Sequence, residues 1–338
     1  IINGACQVAQ RSNLVNAQAG YGAVDRFSVV SGGASRFTLS KNDGPGAQYG
    51  LPSALKFETT TADNSVAATD YMYLDTRLEG QDMQRFQKGS SDAKQYTLQF
   101  WIKLAITGTY VVQLFDVDNS RHVVANYTVS STNWEKKTIT FPADTSGTLD
   151  NDNARSFEVR WHFMGGSNYR SGTQQTTWGS IVAGNMLAGM GNAVSATGDN
   201  FITGMQLEVG SVATDFEHRS FGQELALCQR YYQALVDGGT YRMISFGSIY
   251  AATELHGEAK HFVPMRANAT LISPTGANTL AFQRSGAYVT WSNGLTRNGG
   301  DVYNTYFTRD GVTMGTAGDI GRILTWTAGG NVALDAEL

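Results

Sequence analysis

The chain has 338 residues, enough for two domains of ordinary size, and its 38 glycines and 5 prolines suit a protein rich in turns. Its 25 basic and 29 acidic side chains give a formal charge of −4, and no run of Lys and Arg offers the basic surface that nucleic-acid binding requires. No apolar stretch approaches the roughly 20 residues of a membrane span, and the amino terminus lacks a secretion signal, so we expect neither insertion nor secretion.

Alternation of apolar and polar residues predicts β-strands from residue 24 onward. Because successive strand residues point to opposite faces, each such segment has one core face and one outer face. The predicted core faces are Tyr96, Leu98, Phe100, Ile102 and Leu104; Phe157, Val159, Trp161 and Phe163, with Glu158, Arg160 and His162 opposite; and Phe201, Met205, Leu207 and Val209.

Turn-forming residues separate these strands. They include Asp118-Asn119, residues 144–147 and 151–153, and Gly165-Gly166. Such residues favour tight reversals between antiparallel strands. Two packed antiparallel sheets, a β-sandwich, follow from this spacing.

One amphipathic helix interrupts the strands. Ser220 is a good N-cap, and Gln223 completes a capping box with it. Leu225, Cys228, Tyr232 and Leu235 then form one helical stripe with Tyr231 beside it, and Gly238-Gly239 supplies a stop. We predict a helix over residues 219–237, with Leu225, Tyr231, Tyr232 and Leu235 as candidate interface residues. Cys228 falls on the apolar side, and both it and Cys6 are expected to be buried thiols, because their separation suits no disulfide framework.

Strands resume after residue 239. Predicted segments are YRMISF, IYAATEL, KHFVPM, NTLAF, AYVTW, VYNTYF, RILTW and VALDAEL. Asn293-Gly294, Asn298-Gly299-Gly300, Asp310-Gly311 and Gly329-Gly330-Asn331 are turn or bulge signals, and the last predicts a hairpin between RILTW and VALDAEL. No fixed-period repeat or heptad run is present, so a solenoid or a long coiled coil is not expected.

The predicted fold class is therefore all-β. Residues 1–218 form an antiparallel jelly-roll sandwich, residues 219–237 a connecting helix, and residues 238–338 a smaller antiparallel β domain.

Five segments carry a resemblance to a known kind of protein. They are IINGACQVAQR (1–11), LEGQDMQRFQKG (78–89), YTLQFWIKL (96–104), WEKKTITFPADTSGTLDNDN (134–153) and the strand-to-helix stretch 200–235. In these the chain resembles phage and prophage virion proteins of the tail-fibre or head-fibre type, whose first domain is a jelly roll like a carbohydrate-binding module. The resemblance implies a homotrimer bound to other virion proteins and assembled in the host cytoplasm, and it names no ligand.

Catalytic motifs are missing from the sequence. Gly-x-Ser-x-Gly, His-Glu-x-x-His, Gly-x-x-x-x-Gly-Lys and Gly-x-Gly-x-x-Gly do not occur, and no spacing singles out a pair among the 29 acidic residues. We expect a protein that is not an enzyme and has no catalytic residues.

Two acidic clusters raise a calcium hypothesis. Asp116 and Asp118 form one cluster, and Asp150 and Asp152 form the other. Oxygen-rich turns suit a hard cation such as calcium. Asp and Asn also stabilise turns through their own side chains, and that reading is favoured here, so no cofactor is required.

Exposed aromatic residues are the candidates for sugar contact. Trp101 alternates with the polar residues of its strand, and Trp134, Tyr169 and Trp178 lie near strand ends. Sugar faces stack on such rings. Packing beneath a loop or against another subunit is the alternative explanation, and it is favoured.

Three functions fit these features. The first is a non-enzymatic fibre or adhesin component that attaches to a host-surface glycan. The second is a capsid decoration or cement protein, which shares nearly all the same features. The third is a polysaccharide-degrading tailspike, which is disfavoured because the rung repeat of a β-helix is absent.

Overall fold

A computed structural model describes residues 1–236, 238–328 and 331–338. The chain is all-β with antiparallel sheets. It divides into two compact units: an N-terminal unit of Ile1–Glu224 with Leu338, and a C-terminal unit of Leu225–Glu337. The boundary falls inside the longest helix.

The N-terminal unit is a sandwich of two antiparallel sheets. Its strands are β1 (Leu14–Ala17), β2 (Ala19–Tyr21), β3 (Ser28–Gly32), β4 (Arg36–Gly46), β5 (Leu51–Thr61), β6 (Tyr71–Glu79), β7 (Tyr96–Lys103), β8 (Gly108–Asp116), β9 (Arg121–Val129), β10 (Glu135–Phe141), β11 (Arg155–Gly165), β12 (Gly179–Ser180) and β13 (Gly198–Val209). The back sheet has the order β1-β4-β5-β13-β7-β10, and the front sheet has the order β12-β9-β8-β11-β6-β3-β2. Strands that neighbour each other in space are often distant in sequence, as a jelly roll requires.

Aromatic pairs join the two sheets. Tyr96 of β7 stacks on Phe157 of β11 at 5.8 Å between ring centroids, and Phe100 meets Trp161 edge-on at 6.0 Å. Phe57 of β5 adds a third pair with Phe163 at 4.7 Å. These rings are fully buried in one continuous core, which confirms the predicted inward faces of β7 and β11.

The prediction for β13 is only half right, because a β-bulge shifts its alternation. Pairing with β7 changes register between Thr203 and Gln206, and Gly204 adopts φ +61°. Ile202 is therefore buried before the bulge, while Phe201 is only half-buried. Met205 and Leu207 are buried after it as predicted, and Val209 is exposed.

The C-terminal unit combines two further sheets. Its strands are β14 (Tyr232–Val236), β15 (Met243–Ala251), β16 (Glu254–Lys260), β17 (Thr270–Ile272), β18 (Leu280–Arg284), β19 (Ala287–Trp291), β20 (Thr296–Gly300), β21 (Asn304–Asp310), β22 (Ile320–Thr325) and β23 (Val332–Asp335). Seven of them form the C-terminal sheet, in the order β19-β18-β22-β15-β16-β21-β20. The other three pair in the order β14-β23-β17, and both sheets contribute to one buried cluster that includes Phe282, Phe307, Ile323 and Val332.

Three details of this unit differ from the prediction. A turn at residues 252–253 interrupts the predicted strand IYAATEL, so its first part belongs to β15, together with part of YRMISF, and its last part belongs to β16. The segment 261–265 forms no strand. The strands β22 and β23 belong to different sheets, so they do not form the predicted hairpin; Gly329 and Gly330 themselves lie outside the described residues. The Asn293-Gly294 turn is confirmed by φ values of +70° and +67°.

The helix is shorter than the sequence predicts. Of the three α-helices among the described residues, α1 (Gly80–Met83) and α2 (Ser167–Arg170) are single turns, and α3 spans only Phe221–Gln229. The predicted cap is present, since the Gln223 backbone N–H donates to Ser220 Oγ at 3.4 Å. Tyr232–Val236 is a strand instead, because its backbone hydrogen-bonds to β23 and thereby gains a sheet partner far along the chain.

Both cysteines are buried thiols, as expected, and burial raises the pKa of Cys6 to about 12. Within the described ranges, no helix is long and apolar enough to cross a bilayer.

Replacement of Gly204 by Ala tests the bulge. An added Cβ would lie 2.8 Å from a methyl carbon of Leu51, and the left-handed backbone costs a non-glycine residue roughly 1 to 2 kcal/mol. We expect at least that loss of unfolding free energy in urea titration. Gly222→Ala is the matched control, because its Cβ meets no atom within 4 Å and lies in a helix, where Ala is favoured. Equal unfolding free energies of the two variants would contradict the assignment of a β-bulge at Gly204.

Candidate functional site

The outer face of the front sheet carries aromatic and charged side chains at its centre. On β11 the outward residues are Glu158, Arg160 and His162, as the alternation predicts. His162 lies opposite Tyr73 of β6, and Arg160 lies opposite Asp75. The register between β11 and β6 thus gathers these groups from two strands on one surface.

A small pocket of about 170 Å³ opens on this face. We call it the sandwich groove. It is lined by Tyr71, Tyr73, Arg160, His162, Tyr169, Met186 and Leu187. Tyr169 comes from α2 and meets Tyr71 edge-on at 6.0 Å, so two tyrosine rings from different elements form part of its wall.

Arg160 is held between two rings. Its guanidinium carbon lies 4.3 Å from the ring centre of Phe115 and 5.0 Å from that of Tyr73. Its Nε donates to Glu158 at 2.5 Å. These contacts fix the planar guanidinium and leave it half-buried, in position to offer its donors at the groove.

Beside the groove lies a buried ionic network. Glu158 is fully buried and meets three guanidinium groups, those of Arg77 at 3.6 Å, Arg160 and Arg155. Arg77 also binds Asp75 at 3.0 Å. Each of these buried carboxyl groups thus has a guanidinium group beside it, as buried charges require.

A glutamine links two buried histidines under the same face. The amide nitrogen of Gln113 lies 2.8 Å from His122 Nδ1, and its oxygen lies 3.0 Å from His162 Nε2. If the amide donates to His122, His162 donates through Nε2 and its Nδ1 is an acceptor. That Nδ1 is buried and has no hydrogen-bond partner within the described structure. Burial, reinforced by the charge of Arg160, lowers the pKa of His162 well below its ordinary value, so the ring is neutral at pH 7.

Of the four aromatic residues predicted for sugar contact, only Tyr169 reaches the groove. Trp101 lies on the back sheet, half-buried beneath Tyr49 at 4.7 Å. Trp134 packs on Phe201 at 5.9 Å. Trp178 packs against the core, and its indole N–H donates to the carbonyl of Pro142 at 2.8 Å.

Sequence reasoning missed Tyr71 and Tyr73. Their signal is the alternation in residues 71–77, where Tyr71, Tyr73, Asp75 and Arg77 share one face. Arg160 and His162 were assigned to the outer face but not to a site, because nothing local brings them next to Tyr73.

One of the four carboxylates in the calcium hypothesis, Asp116, contacts a buried lysine ammonium. Lys88 Nζ contacts Asp116, lies 3.0 Å from Asp144, and donates to the carbonyls of Ser146 at 3.1 Å and Gly147 at 2.7 Å. Lys88 and both carboxylates are at least 95% buried. The chain thus supplies its own cation to this set of oxygen atoms.

Two of the other three calcium candidates, Asp118 and Asp152, accept backbone N–H groups through their carboxylates. Asp118 accepts the backbone N–H of Asp150 at 3.1 Å, and Asp152 accepts that of Ala154 at 2.9 Å. Among the residues that the structure describes, no three His, Cys, Asp or Glu side chains are grouped to hold a metal. Turn chemistry accounts for these positions.

The candidate interface residues lie in or just after α3. Tyr231 and Tyr232 are buried within the chain, at 1% and 6% exposure, and Leu225 and Leu235 are half-buried. Their use between subunits stays a prediction.

A larger pocket of about 330 Å³ occurs elsewhere in the N-terminal unit. Two of its three acidic residues already have partners: Glu208 accepts the backbone N–H of Thr214 at 3.2 Å, and Glu224 pairs with Arg219 at 3.4 Å. The sandwich groove combines aromatic walls with an unpaired acceptor, and we therefore take it as the candidate site.

Comparison with known proteins gives distant structural likenesses. No family model and no curated sequence matches the chain. The chain is similar to the enzymatically active domain of a tailspike protein of bacteriophage CBA120, at 10% identity and a TM-score of 0.31, over 54% of this chain and 19% of that one.

Two further likenesses cover nearly the whole of the other chain. A family 11 carbohydrate-binding module of Clostridium thermocellum, in complex with a mixed-linked tetrasaccharide, shows 14% identity and a TM-score of 0.30 over 60% of this chain and 99% of its own. A cyclase from Fischerella shows 11% identity and a TM-score of 0.33 over 63% and 96%. Likenesses this distant do not decide among functions.

Substitution of Lys88 by Met tests the internal ammonium. The change leaves two buried carboxylates without their shared cation, and we expect a loss of roughly 3 to 5 kcal/mol in unfolding free energy at pH 7. Lys137→Met is the control, because its pair with Glu135 is partly exposed and should contribute less than about 1 kcal/mol.

The stability gap between wild type and Lys88→Met should also narrow in acid. Burial alone would raise the pKa of Asp144, but hydrogen bonds from Arg121 and Lys88 lower it below the ordinary value of 3.8. Because the pKa of Asp144 is lower in the folded than in the unfolded protein, the ionised carboxylate stabilises the fold above pH 3.8. This stabilisation disappears as the pH falls through the lower, folded-state pKa. Urea unfolding at pH 7, 5 and 3 measures the gap, and a gap that is constant with pH would refute the ionic role.

Chelation tests the calcium hypothesis directly. Because Lys88 Nζ occupies the oxygen-lined position, EDTA should leave the thermal unfolding midpoint of the wild type unchanged. A lower midpoint that added calcium restores would show that a metal is bound.

Proposed function

We propose that this chain is a non-enzymatic virion component of a phage, a tail-fibre or head-fibre adhesin that contacts a host-surface glycan through the sandwich groove. The observation that carries the proposal is the groove itself. It combines tyrosine rings and a fixed guanidinium on the outer face of a rigid sheet, with the buried, unpaired Nδ1 of His162 beneath them.

Each of these groups suits a sugar. The rings of Tyr71 and Tyr169 offer apolar surface to the carbon–hydrogen face of a pyranose. Arg160 offers donors to ring and hydroxyl oxygens, and the free Nδ1 of His162 would accept a hydroxyl proton. An unpaired buried acceptor costs about 1 to 3 kcal/mol, so a hydroxyl that reached it would gain in affinity.

The ionic network supports binding without catalysis. A glycosidase needs one protonated carboxyl group and one carboxylate across the scissile bond. Glu158 and Asp75 pair with arginines instead, and no Asp or Glu is among the described residues that line the groove.

The virion assignment rests on the resemblance in five segments. The same resemblance implies that the protein is a homotrimer, contacts other virion proteins and is assembled in the host cytoplasm. Mass spectrometry of purified particles would detect the chain if the assignment holds, and its consistent absence would remove it.

Tyr169→Ala tests the groove. On an array of bacterial surface polysaccharides and β-glucans, we expect about tenfold weaker retention than wild type, equivalent to about 1.4 kcal/mol. Tyr49→Ala is the matched control: it removes a half-exposed tyrosine from the opposite side of the sandwich and should bind as wild type does. Equal retention by all three proteins would reject the groove as the binding site.

A further inference from the structure

The outer face of the C-terminal sheet carries several exposed aromatic and apolar residues. Phe246, Tyr250, Tyr306 and Ile320 are exposed by 64%, 69%, 48% and 72%. The opposite side of the same strands is core, since Ile249, Phe307 and Ile323 are buried there. A shallow groove of about 530 Å³ runs over the exposed face.

Strand register arranges these residues in a row across the sheet. Phe246 pairs with Arg322 on one side. On its other side it faces Glu258, because the adjacent residues Gly247 and Gly257 are paired, and Glu258 in turn pairs with Tyr306. Adjacent strands lie about 4.8 Å apart, so the Phe246 and Tyr306 positions are about 10 Å apart with a carboxylate between them.

The row continues on the far side of Arg322. Arg322 pairs with Gln283, to whose side-chain oxygen its guanidinium donates, and Gln283 pairs with Tyr288. The complete row crosses six strands and consists, from one end to the other, of Tyr288, Gln283, Arg322, Phe246, Glu258 and Tyr306. Aromatic rings thus occupy both ends and an intermediate position, with hydrogen-bonding side chains between them.

The charges on this face are balanced. Arg322 and Glu258 flank the same phenylalanine, and His256 pairs with Glu254 at 2.6 Å. A strongly charged partner finds no complementary field here. A dry interface with a second copy would have to bury Arg322 and Glu258, which is costly without new partners. A neutral chain of sugars offers apolar faces to the rings and hydroxyls to the polar groups.

We propose that this face of the C-terminal sheet is a second carbohydrate-binding surface, which takes a neutral polysaccharide chain across the strands. The proposal rests on the proposed function of the chain as a glycan adhesin, and it assigns a separate surface in a separate unit. Phe246 is its central contact, with Tyr306 as a neighbouring platform.

Affinity electrophoresis of the full chain tests the proposal with mixed-linkage β-glucan, xylan, mannan and dextran as neutral probes and alginate as the anionic one. In the Tyr169→Ala background, where the sandwich groove no longer contributes, Phe246→Ser should reduce the remaining retardation by a neutral probe at least fivefold. Phe262→Ser is the matched control, because that phenylalanine is exposed by 58% but lies outside the row. It should leave retardation unchanged.

The outcomes separate the two sites. Complete loss of binding in Tyr169→Ala alone would overturn the second surface and leave the sandwich groove intact. Loss in Phe246→Ser with none in Tyr169→Ala would support the second surface and reject the groove. No retardation by any neutral probe, retardation by alginate alone, or equal effects of Phe246→Ser and Phe262→Ser would overturn the proposal. So would a change of oligomeric mass in Phe246→Ser by light scattering, since the face would then be a subunit interface.

Discussion

Packing of aromatic rings between the two sheets of the sandwich is the interaction on which the N-terminal unit depends. Phe57, Tyr96 and Phe100 of the back sheet each meet a ring of β11 in the front sheet. Because alternate residues of a strand point in opposite directions, burying Phe157, Val159, Trp161 and Phe163 on one side commits the intervening residues of β11 to the other. The same packing that builds the core therefore presents the polar face.

That outer face is arranged by charge and by aromatic contact. Arg160 lies between two rings and binds Glu158, so its position is set before any ligand arrives. Pre-organised groups lose less conformational freedom on binding than mobile ones. A rigid sheet with fixed donors and ring surfaces suits adhesion, in which a surface is held ready and no bond is broken.

The sequence predicts much of this architecture because alternation is a local property. The core faces of β7 and β11 and the outward placement of Glu158, Arg160 and His162 could be predicted residue by residue. Which residues of β13 face the core could not be predicted, because a single bulge at Gly204 reverses the alternation. That bulge depends on the fit of Gly204 to neighbouring strands. The helix predicted after Ser220 was too long for a similar reason. Tyr232–Val236 forms its hydrogen bonds with β23, about a hundred residues later in the chain.

The site was harder to predict than the fold. The sandwich groove joins β6, β11, α2 and a loop, and only the register between β6 and β11 places Tyr73 beside His162. Alternation predicts that Trp101 lies on the outer face of β7, but it does not reveal that the ring of Tyr49 packs against it there. The acidic turns suggested a metal, whereas the cation beside Asp116 is the ammonium of Lys88, 28 residues earlier in the chain. In each case the decisive partner is remote in sequence.

A crystal structure with an oligosaccharide from the best-retained polysaccharide would test the central claim most directly. The account predicts an uncleaved sugar with a ring against Tyr169 and hydroxyl groups within hydrogen-bonding distance of Arg160 and His162. A cleaved sugar, with two carboxylates on either side of the broken bond, or a sugar bound nowhere on the outer face of the front sheet, would contradict it.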